Sequence, residues 1–133
     1  MTEAPLRFLI IDDAPSRYDE FTRMLDRAGH TWVLTFDAHM VYVALPSTDV
    51  VLLDHDMPRK DGREWARDLA AYTLRRPPVI ITSTTGLPRV REEMLATLLA
   101  AGVPATLNPA DHMGCEDEWL AWAYIILGLG GDE

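Results

Sequence analysis

The sequence predicts one α/β domain over its 133 residues, a parallel sheet with helices packed on both faces. Three observations carry this. Short apolar runs alternate with amphipathic helical stretches five times, the pattern of strands buried on both faces and joined by crossover helices. Two of those runs stop abruptly on carboxylates and a third on hydroxyl residues. No linker-like stretch or internal repeat interrupts the series.

Taken in order, residues 6–11 are apolar apart from Arg7 and end at Asp12-Asp13. Ser16 is expected to cap a helix running to about Arg27, with Phe21, Met24 and Leu25 on one face and Gly29 as its stop. Residues 31–36, β-branched and aromatic, predict a second strand. Residues 37–45 fit a short helix halted by Pro46, although Val41 and Val43 are poor helix formers. Residues 50–53 are wholly apolar and end on Asp54. Asp61 can cap a helix through Trp65, Leu69 and Tyr72 that Pro77-Pro78 ends. Residues 79–81 form a fourth strand that runs into Thr82-Ser83-Thr84-Thr85. Pro88 opens a helix through Val90, Met94, Leu95 and Leu98, closed by Gly102. Residues 103–107 predict a weaker fifth strand, and residues 116–127 a last helix with Trp119, Trp122, Ala123 and Ile126 on one face.

Composition bounds the function. A net charge of −9 argues against a nucleic-acid partner, since phosphate contacts need clustered cations. The local groups Arg59, Lys60 and Arg63, Arg75 and Arg76, and Arg89 and Arg91 read as a solvated rim. No apolar run is long enough to span a bilayer, and the first residues lack a signal-peptide pattern. The single cysteine, Cys115, points to a reducing compartment, so a cytoplasmic location is expected. His112 and Cys115 have metal-like spacing but no second pair beside them, and read as loop residues. The segment 128–133 is expected to fray.

In open α/β sheets, ligands bind outside the carboxyl ends of the strands, where strand order reverses. With the order 2-1-3-4-5, the first and third strands are neighbours, and Asp12, Asp13 and Asp54 converge. Carboxylates that close repel one another unless a cation sits among them. An all-oxygen donor set of that kind suits Mg²⁺.

The motifs resemble those of response-regulator receiver domains, a flavodoxin-like (βα)5 family. Ile10-Ile11-Asp12-Asp13 resembles the acidic pair after the family's first strand. Residues 50–62, with Leu53-Asp54-His55-Asp56-Met57-Pro58 and Asp61-Gly62, resemble the phosphoacceptor strand and the loop that follows it. Pro78-Val79-Ile80-Ile81-Thr82-Ser83-Thr84 resembles the fourth strand and its hydroxyl residue. The likeness extends from Leu6 to about Leu127. It implies phosphorelay signalling in a two-component system, by a phosphoprotein that accepts a phosphoryl group on Asp54 rather than by a turnover enzyme. It further implies Mg²⁺ held directly by Asp13 and Asp54, with Asp12 acting through water and Asp56 offering its backbone carbonyl. Ser83 and Thr84 would meet the phosphoryl oxygens, Ser83 as hydrogen-bond donor. No effector domain follows in this sequence, so output is expected through a protein partner. That partner is a kinase, a phosphotransfer protein, an effector, or a second copy meeting the last two helices and fifth strand.

Two departures stand out. Asn108 occupies the position of the family's lysine and Ala105 that of its aromatic switch residue. Asn donates a hydrogen bond but brings no charge to a phosphoryl oxygen. A pseudo-receiver that keeps the fold as a binding module is therefore an alternative. The Asp54-His55-Asp56 triplet also resembles receiver relatives proposed to process cyclic phosphates, in which His55 would be a general acid or base of a metal-assisted phosphoesterase. Those relatives carry His-Ser where this chain has Thr82-Ser83. The plainer reading of His55 is a side chain packed beneath the following helix.

Overall fold

The computed structural model describes residues 5–72, 76–83, 88–107 and 116–129. Five strands, β1 (Arg7–Ile11), β2 (Thr31–Thr35), β3 (Val50–Leu53), β4 (Val79–Ile81) and β5 (Ala105–Leu107), form one sheet in the order β2-β1-β3-β4-β5. Every neighbouring pair is parallel. The connecting helices are α1 (Asp19–Ala28), α2 (Ala38–Ala44), α3 (Gly62–Ala71), α4 (Pro88–Ala100) and α5 (Glu116–Ile126).

Alternation along the central strands divides the core between the two faces of the sheet. Leu9, Ile11, Val51, Leu53, Val79 and Ile81 face one way, onto Val41, Trp65, Leu69, Met94 and Leu98 of α2, α3 and α4. Phe8, Ile10, Val50, Leu52 and Ile80 face the other, onto Phe21 and Leu25 of α1 and Trp119 and Ala123 of α5. Phe21 sits edge-on to Phe8 at 5.7 Å and to Trp119 at 5.2 Å, an arrangement suited to ring quadrupoles. β3, covered on both sides, has no exposed residue. β2 is an edge strand, and Trp32 and Val33 are exposed.

Several local expectations need correction. Ser16 does not cap α1: Pro15–Tyr18 forms a 3-10 turn, and α1 begins at Asp19. Pro15 has its φ fixed in the helical range, so the turn starts there and Ser16 lies inside it. Asp37 caps α2, its side chain accepting from the Met40 N–H, and the chain continues past Ala44 into a 3-10 turn, Leu45–Ser47, that includes Pro46. α3 stops at Ala71, well before Pro77-Pro78, and β5 begins at Ala105 rather than Val103. On α5, Trp119 and Ala123 are buried as expected, whereas Ile126 is exposed.

Candidate metal and phosphoryl site

β1 and β3 pair directly with Ile11 opposite Leu53, so the next residue of each strand, Asp12 and Asp54, leaves the sheet at the same level. Backbone bonds hold both exits, Asp54 N–H to the Ile11 carbonyl at 3.1 Å and Asp12 N–H to the Thr35 carbonyl at 3.3 Å. Asp13 follows Asp12 into solvent. One carboxylate oxygen from each of Asp12, Asp13 and Asp54 lies within 4.8 Å of the others. Asp12 is fully buried and Asp54 nearly so, while Asp13 is exposed. A cleft of about 170 Å³ opens beside them, lined by Asp12, Asp13, Pro15, Leu34, Thr35 and Phe36.

The 3-10 turn folds two further residues over this strand end. Arg17 Nη1 lies 2.5 Å from Asp12 Oδ2 and 3.2 Å from Asp54 Oδ1. Its Nη2 donates to the Thr82 carbonyl at 3.0 Å, reaching the end of β4. The Tyr18 hydroxyl, fully buried, donates to Asp12 Oδ2 at 2.6 Å and shares a 2.7 Å hydrogen bond with Thr82 Oγ1. The Ala14 N–H donates to Asp12 Oδ1 at 3.0 Å. Neither Arg17 nor Tyr18 stood out in the sequence, where both fell inside a helix expected to start at Ser16. The available signal was Pro15, which sets a tight turn just after the acidic pair.

Burial dominates the electrostatics. It raises the Asp12 carboxyl above its usual range, against the opposing effects of the Tyr18 hydrogen bond and the Arg17 charge. Burial first, and the Asp12 charge second, push Asp54 up to about 6. Tyr18 is raised well above its ordinary value, again by burial and then by Asp12.

Of the other expected site residues, Ser83 is fully buried one residue beyond the Thr82 that Arg17 and Tyr18 engage. The Asp56 side chain is 68% exposed and is not part of the carboxylate cluster. His55 is buried, its Nε2 3.9 Å from Asp56 Oδ1 and its Nδ1 without a hydrogen-bond partner among the described residues. Ala105 is half-buried in β5. Thr84, Asn108, His112 and Cys115 lie outside the described residues.

The loop after β3 is fixed by close packing. A Cβ on Gly62 would stand 2.4 Å from the Asp54 carbonyl oxygen and 2.6 Å from the His55 Cα, so only glycine allows α3 to begin there. The Gly62 N–H donates to the His55 carbonyl at 3.0 Å. Asp61 and Glu64 form a reciprocal capping box at the same helix start.

The donor set fits a divalent cation. Octahedral Mg²⁺ with bonds of about 2.1 Å places neighbouring ligand oxygens about 3 Å apart and opposite ones about 4.2 Å apart. The three oxygens lie within 4.8 Å of one another, close to the about 4.2 Å that separates opposite ligands of such an ion.

Solved receiver domains share this architecture. A two-component response regulator from Clostridium difficile superposes with a TM-score of 0.71 at 15% identity, over 96% of this chain and 99% of that one. The receiver domain of the sensor histidine kinase PA1611 from Pseudomonas aeruginosa, with magnesium coordinated in its active-site cleft, gives 0.68 at 23%, over 94% and 99%. The Mn²⁺-bound response regulator Rcp1 gives 0.68 at 18%, over 97% and 98%. At such identities the likeness establishes the fold, a five-stranded flavodoxin-like receiver fold. No family model and no curated protein matches the sequence.

Proposed function

We propose that this chain, which has the receiver fold, is a signalling receiver domain over residues 1–133 that binds Mg²⁺ at Asp12, Asp13 and Asp54 and accepts a phosphoryl group on Asp54. The observation that carries the reading is the convergence of those three carboxylates at the ends of β1 and β3. A carboxylate oxygen of Asp54 attacks phosphorus, a new P–O bond forms, and the bond to the donor's leaving group breaks. Magnesium, when bound, would supply positive charge that offsets the repulsion between these carboxylates and an incoming phosphoryl group. The chain's own residues hold the nucleophile. The Asp54 backbone is pinned to β1 by its N–H bond to the Ile11 carbonyl, and the Ser83 hydroxyl would serve as a donor at the end of β4. The Asp56 carbonyl and Thr84 complete the metal and phosphoryl contacts in this reading.

A phosphoesterase built on Asp54, His55 and Asp56 has less support, because His55 is buried while the Asp56 side chain turns to solvent. No helix among the described residues is long and apolar enough to cross a membrane. We place the domain in the cytoplasm, with a kinase or phosphotransfer protein as donor. Its output runs through an effector or a second copy at the surface of α4, β5 and α5. Leu99, Ile125 and Ile126 expose apolar side chains on those helices, which supports that choice.

Incubation with a small phosphodonor and Mg²⁺, followed by intact-mass measurement, tests the proposal. The expected result is addition of one phosphoryl group to the wild type and none to Asp54→Asn. Beryllofluoride binding guards against a short-lived product. Absence of both, under conditions that label an ordinary receiver, would leave a pseudo-receiver in its place.

A further inference from the structure

We propose that Arg17 is the resident counter-ion of the acidic pocket and competes with a divalent cation for it. The inference rests on the reading above that Asp12, Asp13 and Asp54 hold Mg²⁺. One guanidinium ties together the ends of three neighbouring strands, through Asp12 after β1, Asp54 after β3 and the Thr82 carbonyl after β4. The planar fork of donors is what makes this span available to arginine. Asp12 and Asp54 are almost free of solvent, so their mutual repulsion is large unless a cation lies between them, and Arg17 supplies one.

An ion bound to Asp54 would stand within about 5 Å of that guanidinium, and two cations so close in a partly buried site repel strongly. Magnesium entry therefore requires Arg17 to leave. It can do so without unfolding anything. Its side chain is 23% exposed, at the lip of the pocket, and its backbone sits in a 3-10 turn held independently by the Arg17 N–H bond to the Ala14 carbonyl at 3.1 Å. Metal-free and metal-bound states thus differ by the swing of one long side chain. The metal-free site is self-neutralised, and metal affinity is lowered by the cost of displacing Arg17.

Calorimetric titration of the full chain with Mg²⁺ alone tests this, comparing wild type with Arg17→Met and Arg17→Lys. Arg17→Met should bind Mg²⁺ roughly tenfold tighter or more. Without metal it should melt lower than wild type, and it should gain more from added Mg²⁺. Arg17→Lys should fall between, because one ammonium cannot span all three acceptors. Wild-type binding with equal or weaker binding by Arg17→Met overturns the competition and leaves the magnesium site standing. No binding by any of the three proteins overturns both. If Arg17→Met fails to fold with or without Mg²⁺, Arg17→Lys decides: tighter binding than wild type supports the competition, and equal or weaker binding overturns it.

Discussion

Asp54 is asked to be both buried and charged, and these demands oppose each other. Its carboxyl is raised from 3.8 to about 6 by burial and then by the Asp12 charge. Between those values the folded chain holds a proton that the unfolded chain has released, so protonation favours the fold. The destabilisation is fully present above pH 6 and is relieved as pH falls toward 3.8, with the raised Asp12 acting in the same direction. In metal chelator, the wild type should therefore gain thermal stability relative to Asp54→Asn on going from neutral pH to about pH 5. Parallel melting curves for the two proteins would refute the assignment. Asp12, Asp13 and Asp54 were legible in the sequence because the Asp12-Asp13 pair and Asp54 each close a short apolar run in an alternating strand-helix series. Arg17 was not. Its role depends on a turn that carries it back across three strand ends, and no periodicity encodes that.

At the scale of elements, the start of α3 bears most directly on the site. Gly62 packs onto the Asp54-His55 backbone with no space for a methyl group, and the Asp61–Glu64 capping box fixes the helix above it. Gly62→Ala should cost about 1–3 kcal/mol or more, since the nearest obstacle is main chain that cannot rotate away. Asp61→Ala should cost about 1 kcal/mol through the lost cap. Denaturant titration of both variants gives the ordering, and a Gly62→Ala protein as stable as wild type would contradict the packing described. β3 and β4 were legible to the residue, because their apolar runs are too short for a helix and have sharp polar or proline ends. A helix start was legible where a side chain makes the cap, as at Asp61. One was misread at Ser16, where a proline turn begins the element instead. The exposure of Ile126 depends on how α5 lies against the sheet, which its own heptad of apolar residues does not specify.

Across the whole molecule, topology makes the site. The order β2-β1-β3-β4-β5 sets β1 beside β3 although β2 separates them in sequence, and the acidic cluster forms only because of that reversal. The remainder of the structure holds the reversal in place. Both sheet faces are covered, and His30 ties the residue that leads into β1 to the last helix. Its Nδ1 accepts from the Leu6 N–H at 3.0 Å and its Nε2 meets the Tyr124 hydroxyl at 2.7 Å. Anomalous diffraction from crystals soaked in Mn²⁺, a stand-in for magnesium that the X-ray beam can identify, tests the convergence most directly. A single manganese bonded to the carboxylates of Asp13 and Asp54 is the result this account predicts. A map with no ion there, at manganese excess, would contradict it.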